Sequence, residues 1–153
     1  MSTLKAGDKA PDFTATDQNG EKISLSDFKG KTLILYFYPQ DNTPTCTKEA
    51  CNFRDNYQSL AANGLQVVGV SFDTEKSHQK FINKYQLPFP LIADPDKKII
   101  ESYGVWGEKK LYGKVYMGTL RTTFIIDAAG IIQHIIEKVD SNKASQQVLD
   151  LIK

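Results

Sequence analysis

Cysteine and histidine are scarce in this 153-residue chain, with Cys46 and Cys51 the two cysteines and His78 and His134 the two histidines. Two cysteines cannot build the multi-bridge framework that staples small secreted domains. The four residues together lack the paired spacing of a zinc site, so no metal is expected. No apolar run approaches the roughly 20 residues that span a bilayer. The opening residues, MSTLKAGDKAPDF, lack the apolar stretch of a secretory leader. The expectation is a cytoplasmic protein without membrane contact. An excess of charge of one sign is missing too, since 19 Lys+Arg stand against 18 Asp+Glu, a net charge of +1. That balance gives no global field for nucleic acid or an anionic surface. There is no repeat, linker or low-complexity tract. What remains is ordinary globular composition, 41% hydrophobic and 24% charged. The length suits a single domain over residues 1–153 with one core.

The patterning gives an α/β order. Segments around Phe13–Ala15 and Lys22–Leu25 flank Asn19-Gly20, a hairpin signal. Thr32–Tyr38 is apolar on both faces and belongs in the middle of a covered sheet. Pro39 stops it. Thr43-Pro44 predicts a helix start, with Thr43 as N-cap and Pro44 at the first helical position. Ala50, Phe53, Tyr57, Leu60 and Ala61 continue that helix to Asn63-Gly64. Leu65–Phe72 reads as a second buried strand. Glu75–Tyr85 reads as a helix with Phe81, Ile82 and Tyr85 inward. Phe89–Ala93 is a short strand, Lys97–Tyr103 a short helix, and Leu111–Met117 a strand or ordered loop. Thr122–Asp127 and Ile131–Glu137 form a hairpin, and Ala144, Val148, Leu151 and Ile152 mark a last helix. The order is that of a thioredoxin-like fold, a central mixed β-sheet flanked by helices with an N-terminal β-hairpin extension.

Cys46 falls at the third position of the helix that Thr43 caps. The free N–H groups of a first turn and the positive end of the dipole favour a thiolate there. The Thr43 hydroxyl is placed to donate to the sulfur or to an incoming oxygen, and Pro39 to shape the loop and shield the sulfur. Glu49, one turn on, is placed to orient a cation. Arg121 is the best candidate for that cation, because it directly precedes the buried strand Thr122–Asp127. A guanidinium beside the sulfur would bind and polarise an oxygen pair. Cys51 poses a geometric problem. Residues five apart on an ideal helix lie about 140° apart and about 7.5 Å along the axis. A disulfide needs Cα atoms within roughly 7 Å. If the two cysteines pair, the segment from about residue 43 to 54 must unwind.

Each residue alone has an ordinary reading. Cys46 would be a small core hydrophobe, Cys51 a bystander, Arg121 and Glu49 surface charges, and Thr43-Pro44 a cap. Trp106, Tyr112 and Tyr116 read as packing residues, His78 as a helix-surface residue and His134 as a strand residue. The conjunction carries the case, and it resembles a known family. Pro39-x-x-x-Thr43-x-x-Cys46 matches the active-site signature of the peroxiredoxins. Cys51 is similar in placement to the second cysteine of the bacterioferritin comigratory protein, or PrxQ, subgroup. Ala10–Phe13, Tyr36–Pro39, Cys46–Cys51, Phe53–Asp55, Gly69–Ser71 and Arg121–Asp127 carry the same resemblance.

The resemblance implies a thiol peroxidase acting on hydrogen peroxide and small organic hydroperoxides. Cys46 would be the peroxidatic cysteine and Cys51 the resolving one, through an intramolecular disulfide that thioredoxin reduces. Thr43 and Arg121 would activate the peroxide and Pro39 shield the sulfenate. It implies no metal, haem or flavin, and a monomer or weak dimer. Two positions depart from the subgroup. Thr45 stands where glycine is common, which is expected to stiffen the loop, and Val139-Asp140-Ser141 stands where many relatives carry a histidine. Two other functions compete. A redox sensor would use the same disulfide to expose a partner-binding surface. A disulfide oxidoreductase would usually need Cys-x-x-Cys, against which the four-residue spacer argues.

Overall fold

The run that begins at Thr32 forms the middle of the sheet because side chains from both of its faces are covered. In the computed structural model, which describes residues 4–152, the strands and helices follow in chain order. They are β1 (Thr14–Thr16), β2 (Lys22–Ser24), β3 (Thr32–Phe37), α1 (Pro44–Asp55), α2 (Tyr57–Ala62), β4 (Leu65–Ser71) and α3 (Glu75–Tyr85). Then come β5 (Leu91–Ala93), α4 (Lys98–Ser102), β6 (Trp106–Leu111), β7 (Lys114–Thr119), β8 (Thr122–Ile126), β9 (Ile132–Ile136) and α5 (Ala144–Ile152). Seven strands make one mixed sheet in the order β2-β1-β5-β4-β3-β8-β9. β3 runs parallel to β4 and antiparallel to β8.

Side chains alternate across a strand, so β3 feeds two cores. Leu33, Leu35 and Phe37 join Ile92, Ile99, Tyr103 and Phe124 on one face. Ile34, Tyr36 and Tyr38 join Cys46, Ala50, Phe53, Phe81 and Val148 on the other. Full burial of each large apolar side chain contributes about 1.5–3 kcal/mol, so the position of β3 is strongly fixed. α1, α2, α3 and α5 supply the second core, which places the helix start after β3 over the carboxyl end of the sheet.

Three expectations are corrected. The helix predicted to run unbroken to Asn63 divides at Asn56, which caps α1 and starts α2. The side chain of Asn56 donates to the carbonyl of Asn52 at 2.8 Å. Leu111–Met117, expected as one strand or an ordered loop, instead holds the turn of a separate two-stranded hairpin, β6 with β7. Of the aromatics read as packing residues, Trp106 does pack on the first core. Tyr112 is 95% exposed and Tyr116 is exposed as well. Among the described residues, no helix is long and apolar enough to cross a membrane.

Candidate active site

Register brings the two distant halves of the site together. Phe37 of β3 lies opposite Thr122 of β8, and the two strands run antiparallel. Arg121, one residue before β8, therefore emerges where β3 ends and α1 begins. There its Nη1 donates to Glu49 Oε1 at 2.6 Å and its Nη2 donates to Cys46 Sγ at 3.2 Å. A single rigid guanidinium bridges the helix carboxylate and the helix thiol. Cys46 and Glu49 stand three residues apart on α1, on the face that also carries Ala50 and Phe53.

Glu49 is the exception on that apolar face. It is fully buried, not a solvated charge, and among the described residues its Oε2 has no hydrogen-bond partner. Burial pushes its carboxyl up from 4.5 to about 7, against the pull of the Arg121 guanidinium. Burial likewise opposes the charge on Arg121, but Glu49 and then Cys46 outweigh it and hold the guanidinium above its ordinary value. The sulfur thus sits against a cation that is itself held by a buried anion.

Thr43 occupies the N-cap position and Pro44 the first turn, as expected. Its hydroxyl, however, caps no backbone N–H and does not bond the sulfur. It donates to the carbonyl of Gln40 at 3.1 Å, which leaves its lone pairs free to accept. Among the described residues the sulfur takes its hydrogen bond from Arg121 and from no backbone N–H. Pro39 is half-buried just past β3. Cys51 is half-buried and lies away from the face that carries Cys46, and both thiols are free. α1 is unbroken through both positions.

Two groups escaped sequence reasoning. Lys109 of β6 reaches across Gly118 to donate to the carbonyl of Thr119 at 3.1 Å. Burial, and then Arg121, pull its ammonium below the ordinary range, while Cys46 opposes them. His78, read as a helix-surface residue, is fully buried. Its Nδ1 lies 2.7 Å from Asp41 Oδ2 and its Nε2 lies 2.9 Å from the carbonyl oxygen of Ile92. The signal was available, since His78 precedes the inward Phe81 and Ile82 by three and four residues. Asp41, Asp73 and His78 bring donor atoms within 4.8 Å of one another. Those of Asp41 and His78 are already engaged with protein groups, so the cluster reads as a hydrogen-bond network. His134 is on β9, as expected.

The arrangement is a buried thiol at a helix start with an arginine across it, and the chain that carries it is similar to known proteins along nearly its whole length. The AhpC/TSA family matches residues 6–135. The putative peroxiredoxin bcp of Coxiella burnetii is 50% identical over 137 residues, 90% of this chain and 91% of that protein. Peroxiredoxin Bcp of Escherichia coli K12 is 42% identical over 153 residues, 100% of this chain and 98% of that one. The crystal structure of a PrxQ mutant from Xylella fastidiosa superposes with a TM-score of 0.92 at 29% identity, over 99% of this chain and 97% of that one. By its sequence along nearly its full length, and by its thioredoxin-like sheet, this chain belongs to the AhpC/TSA family and, within it, to the Bcp/PrxQ peroxiredoxins, which are peroxidases.

Proposed function

We propose that Cys46 is the peroxidatic residue of a two-cysteine cycle completed by Cys51. The observation that carries the reading is the Arg121 bridge, with Nη2 3.2 Å from Cys46 Sγ and Nη1 2.6 Å from Glu49 Oε1. The Cys46 thiolate attacks the distal oxygen of a hydroperoxide ROOH. The S–O bond forms as the O–O bond breaks, sulfur is oxidised to sulfenic acid, and the leaving alkoxide takes a proton to depart as ROH. Arg121 holds the charge that spreads over the two oxygens. Thr43 accepts the hydroperoxide O–H, since its own hydrogen is already on Gln40. Pro39 keeps bulk water from the sulfenate. Hydrogen peroxide and small organic hydroperoxides fit such a site.

Cys51 thiolate then attacks the sulfenic sulfur, forming the disulfide and releasing hydroxide, which is protonated to water. On an intact helix the two Cα atoms are roughly 8.7 Å apart, beyond the reach of a disulfide. The start of α1 therefore unwinds. The half-buried position of Cys51 leaves the resulting bond open to a dithiol reductant of the thioredoxin type, which returns two electrons and two protons. Both thiols belong to one chain, which supports a monomer working in a reducing compartment such as the cytoplasm.

Two substitutions test the roles. Cys46→Ser is expected to abolish peroxide turnover with thioredoxin and its reductase. Cys51→Ser is expected to consume about one equivalent of peroxide and stall at sulfenic acid. Equal turnover in both variants refutes the assignment.

A further inference from the structure

We propose that the buried Asp41–His78 pair positions the peroxide site: it fixes the loop between β3 and α1, and so sets where the Thr43 hydroxyl and the Pro39 ring stand relative to Cys46. The inference rests on the reading of Thr43 as a peroxide-binding group.

The buried ties of the loop run through Asp41, while Asn42 Oδ1 accepts at the surface from Tyr85 Oη at 3.2 Å and Lys84 Nζ at 3.4 Å. Its Oδ1 accepts from the Tyr38 hydroxyl at 2.6 Å, and its Oδ2 accepts from Ser77 Oγ at 2.8 Å and lies 2.7 Å from His78 Nδ1. Its backbone N–H donates to Asp73 Oδ2 at 2.8 Å, an oxygen that also accepts from Ser71 Oγ at 2.6 Å. One residue thus binds the loop to the end of β3, the end of β4 and the first turn of α3. Asn42 beside it has φ of 61°, a left-handed conformation that a short polar residue tolerates and that needs its neighbours held. Thr43 follows directly, with its hydroxyl on Gln40 of the same loop.

The proton count explains why a histidine stands there. The carbonyl oxygen of Ile92 can only accept, so Nε2 must carry a proton. Asp41 accepts from the Tyr38 and Ser77 hydroxyls and faces Nδ1 with the same oxygen that Ser77 reaches. The ring spans α3, the loop and the strand β5 through its two nitrogens. Neither a neutral amide nor an apolar side chain can make both bonds at once. Losing it leaves the buried Asp41 carboxylate short of a partner, and the loop is free to re-seat. Among the described residues no hydrogen bond of Asp41 or His78 reaches the sulfur, so the two are positioning residues.

The experiment compares two reagents on reduced protein, hydrogen peroxide and iodoacetamide, each by stopped flow on the variants His78→Leu and Asp41→Asn and on their combination. Iodoacetamide needs an open thiol but no Thr43. A misplacement of about 1 Å costs on the order of a hundredfold in rate. Each variant is therefore expected to slow the peroxide reaction by roughly ten- to a hundredfold while the iodoacetamide rate holds. The double variant should be no slower than the worse single one, because the two act through one contact. Equal loss with both reagents, no loss with either, or additive losses overturn the proposal. If His78→Leu does not fold, Asp41→Asn carries the same comparison. Nitrogen-15 NMR of the wild-type rings, with His134→Gln to assign the two histidines, should show a proton on Nε2 of His78, the nitrogen that faces the Ile92 carbonyl. A bare Nε2 overturns it. Wild-type protein that reacts with peroxide no faster than a free thiol refutes the peroxidatic role of Cys46, an outcome distinct from equal behaviour of the variants.

Discussion

Replacing Glu49 by glutamine should change how stability depends on pH. The wild-type carboxyl is fully buried, has one oxygen on Arg121 and the other without a partner among the described residues, and is raised from 4.5 to about 7 by burial. The folded state therefore holds the Glu49 proton more tightly than the unfolded state does. Below pH 4.5 both states are protonated and Glu49 carries no penalty. Between 4.5 and about 7 the unfolded chain gives up its proton first, and stability falls as pH rises. Above about 7 the carboxylate is ionised in both states and the full penalty stands. A shift from 4.5 to about 7 corresponds to a penalty on the order of 3 kcal/mol. Glutamine cannot ionise, so the variant lacks this penalty. Urea unfolding of reduced wild-type and Glu49→Gln protein at a series of pH values measures it as the difference between two curves, which cancels other titrating groups. The wild-type advantage should shrink by about 3 kcal/mol between pH 4 and pH 8. Parallel curves would refute the reasoning, and a growing wild-type advantage would mean that Arg121 dominates over burial.

Arg121→Lys removes the fork that serves Glu49 and Cys46 together, so the second-order rate with peroxide should fall by about a hundred- to a thousandfold in stopped flow. Asn52→Ala deletes the bonds from Nδ2 to the carbonyl of Asn142 and from Ser145 N–H to Oδ1, both 2.8 Å. It should cost about 1–3 kcal/mol in urea unfolding. It should also speed disulfide formation after Cys46 oxidation, because these bonds hold the segment just beyond Cys51. Gly69→Ala would set a Cβ 2.7 Å from Leu91 Cδ2 and 2.9 Å from Tyr36 Cζ. It should lower stability by about 1–3 kcal/mol, read from the urea midpoint.

Where local chemistry and tertiary packing agreed, the sequence was readable. The two apolar faces of β3, the Thr43-Pro44 start of α1 and the placement of Arg121 at the head of a buried strand all follow from period and cap. Arg121 could be matched to Cys46 because a strand that enters the sheet rigidly carries its first residue with it. The N-terminal hairpin was visible in Asn19-Gly20. The β6–β7 hairpin was not, because its turn is Tyr112-Gly113. Both residues have positive φ there, 52° and 78°, the conformation of a tight hairpin turn usually marked by asparagine or aspartate before glycine. Its strands also lack apolar alternation, since β7 is largely exposed. The break at Asn56 was hidden because Tyr57 and Leu60 keep helical phase across it. His78 was misjudged because polar side chains are usually solvated, and it is buried here only because Asp41, a partner far along the chain, meets it. Its helical phase placed it inward, but nothing local identified the partner.

The two-cysteine cycle requires an activated Cys46 and Cys51 as its assigned partner. Stopped-flow fluorescence of Trp106 in the reduced protein, mixed with hydrogen peroxide and followed by thiol counting, tests both together. Oxidation should be much faster than that of a free thiol, with both thiols lost per peroxide consumed and both restored by thioredoxin. A rate no greater than that of an ordinary thiol, or loss of one thiol with the second still free, would contradict it.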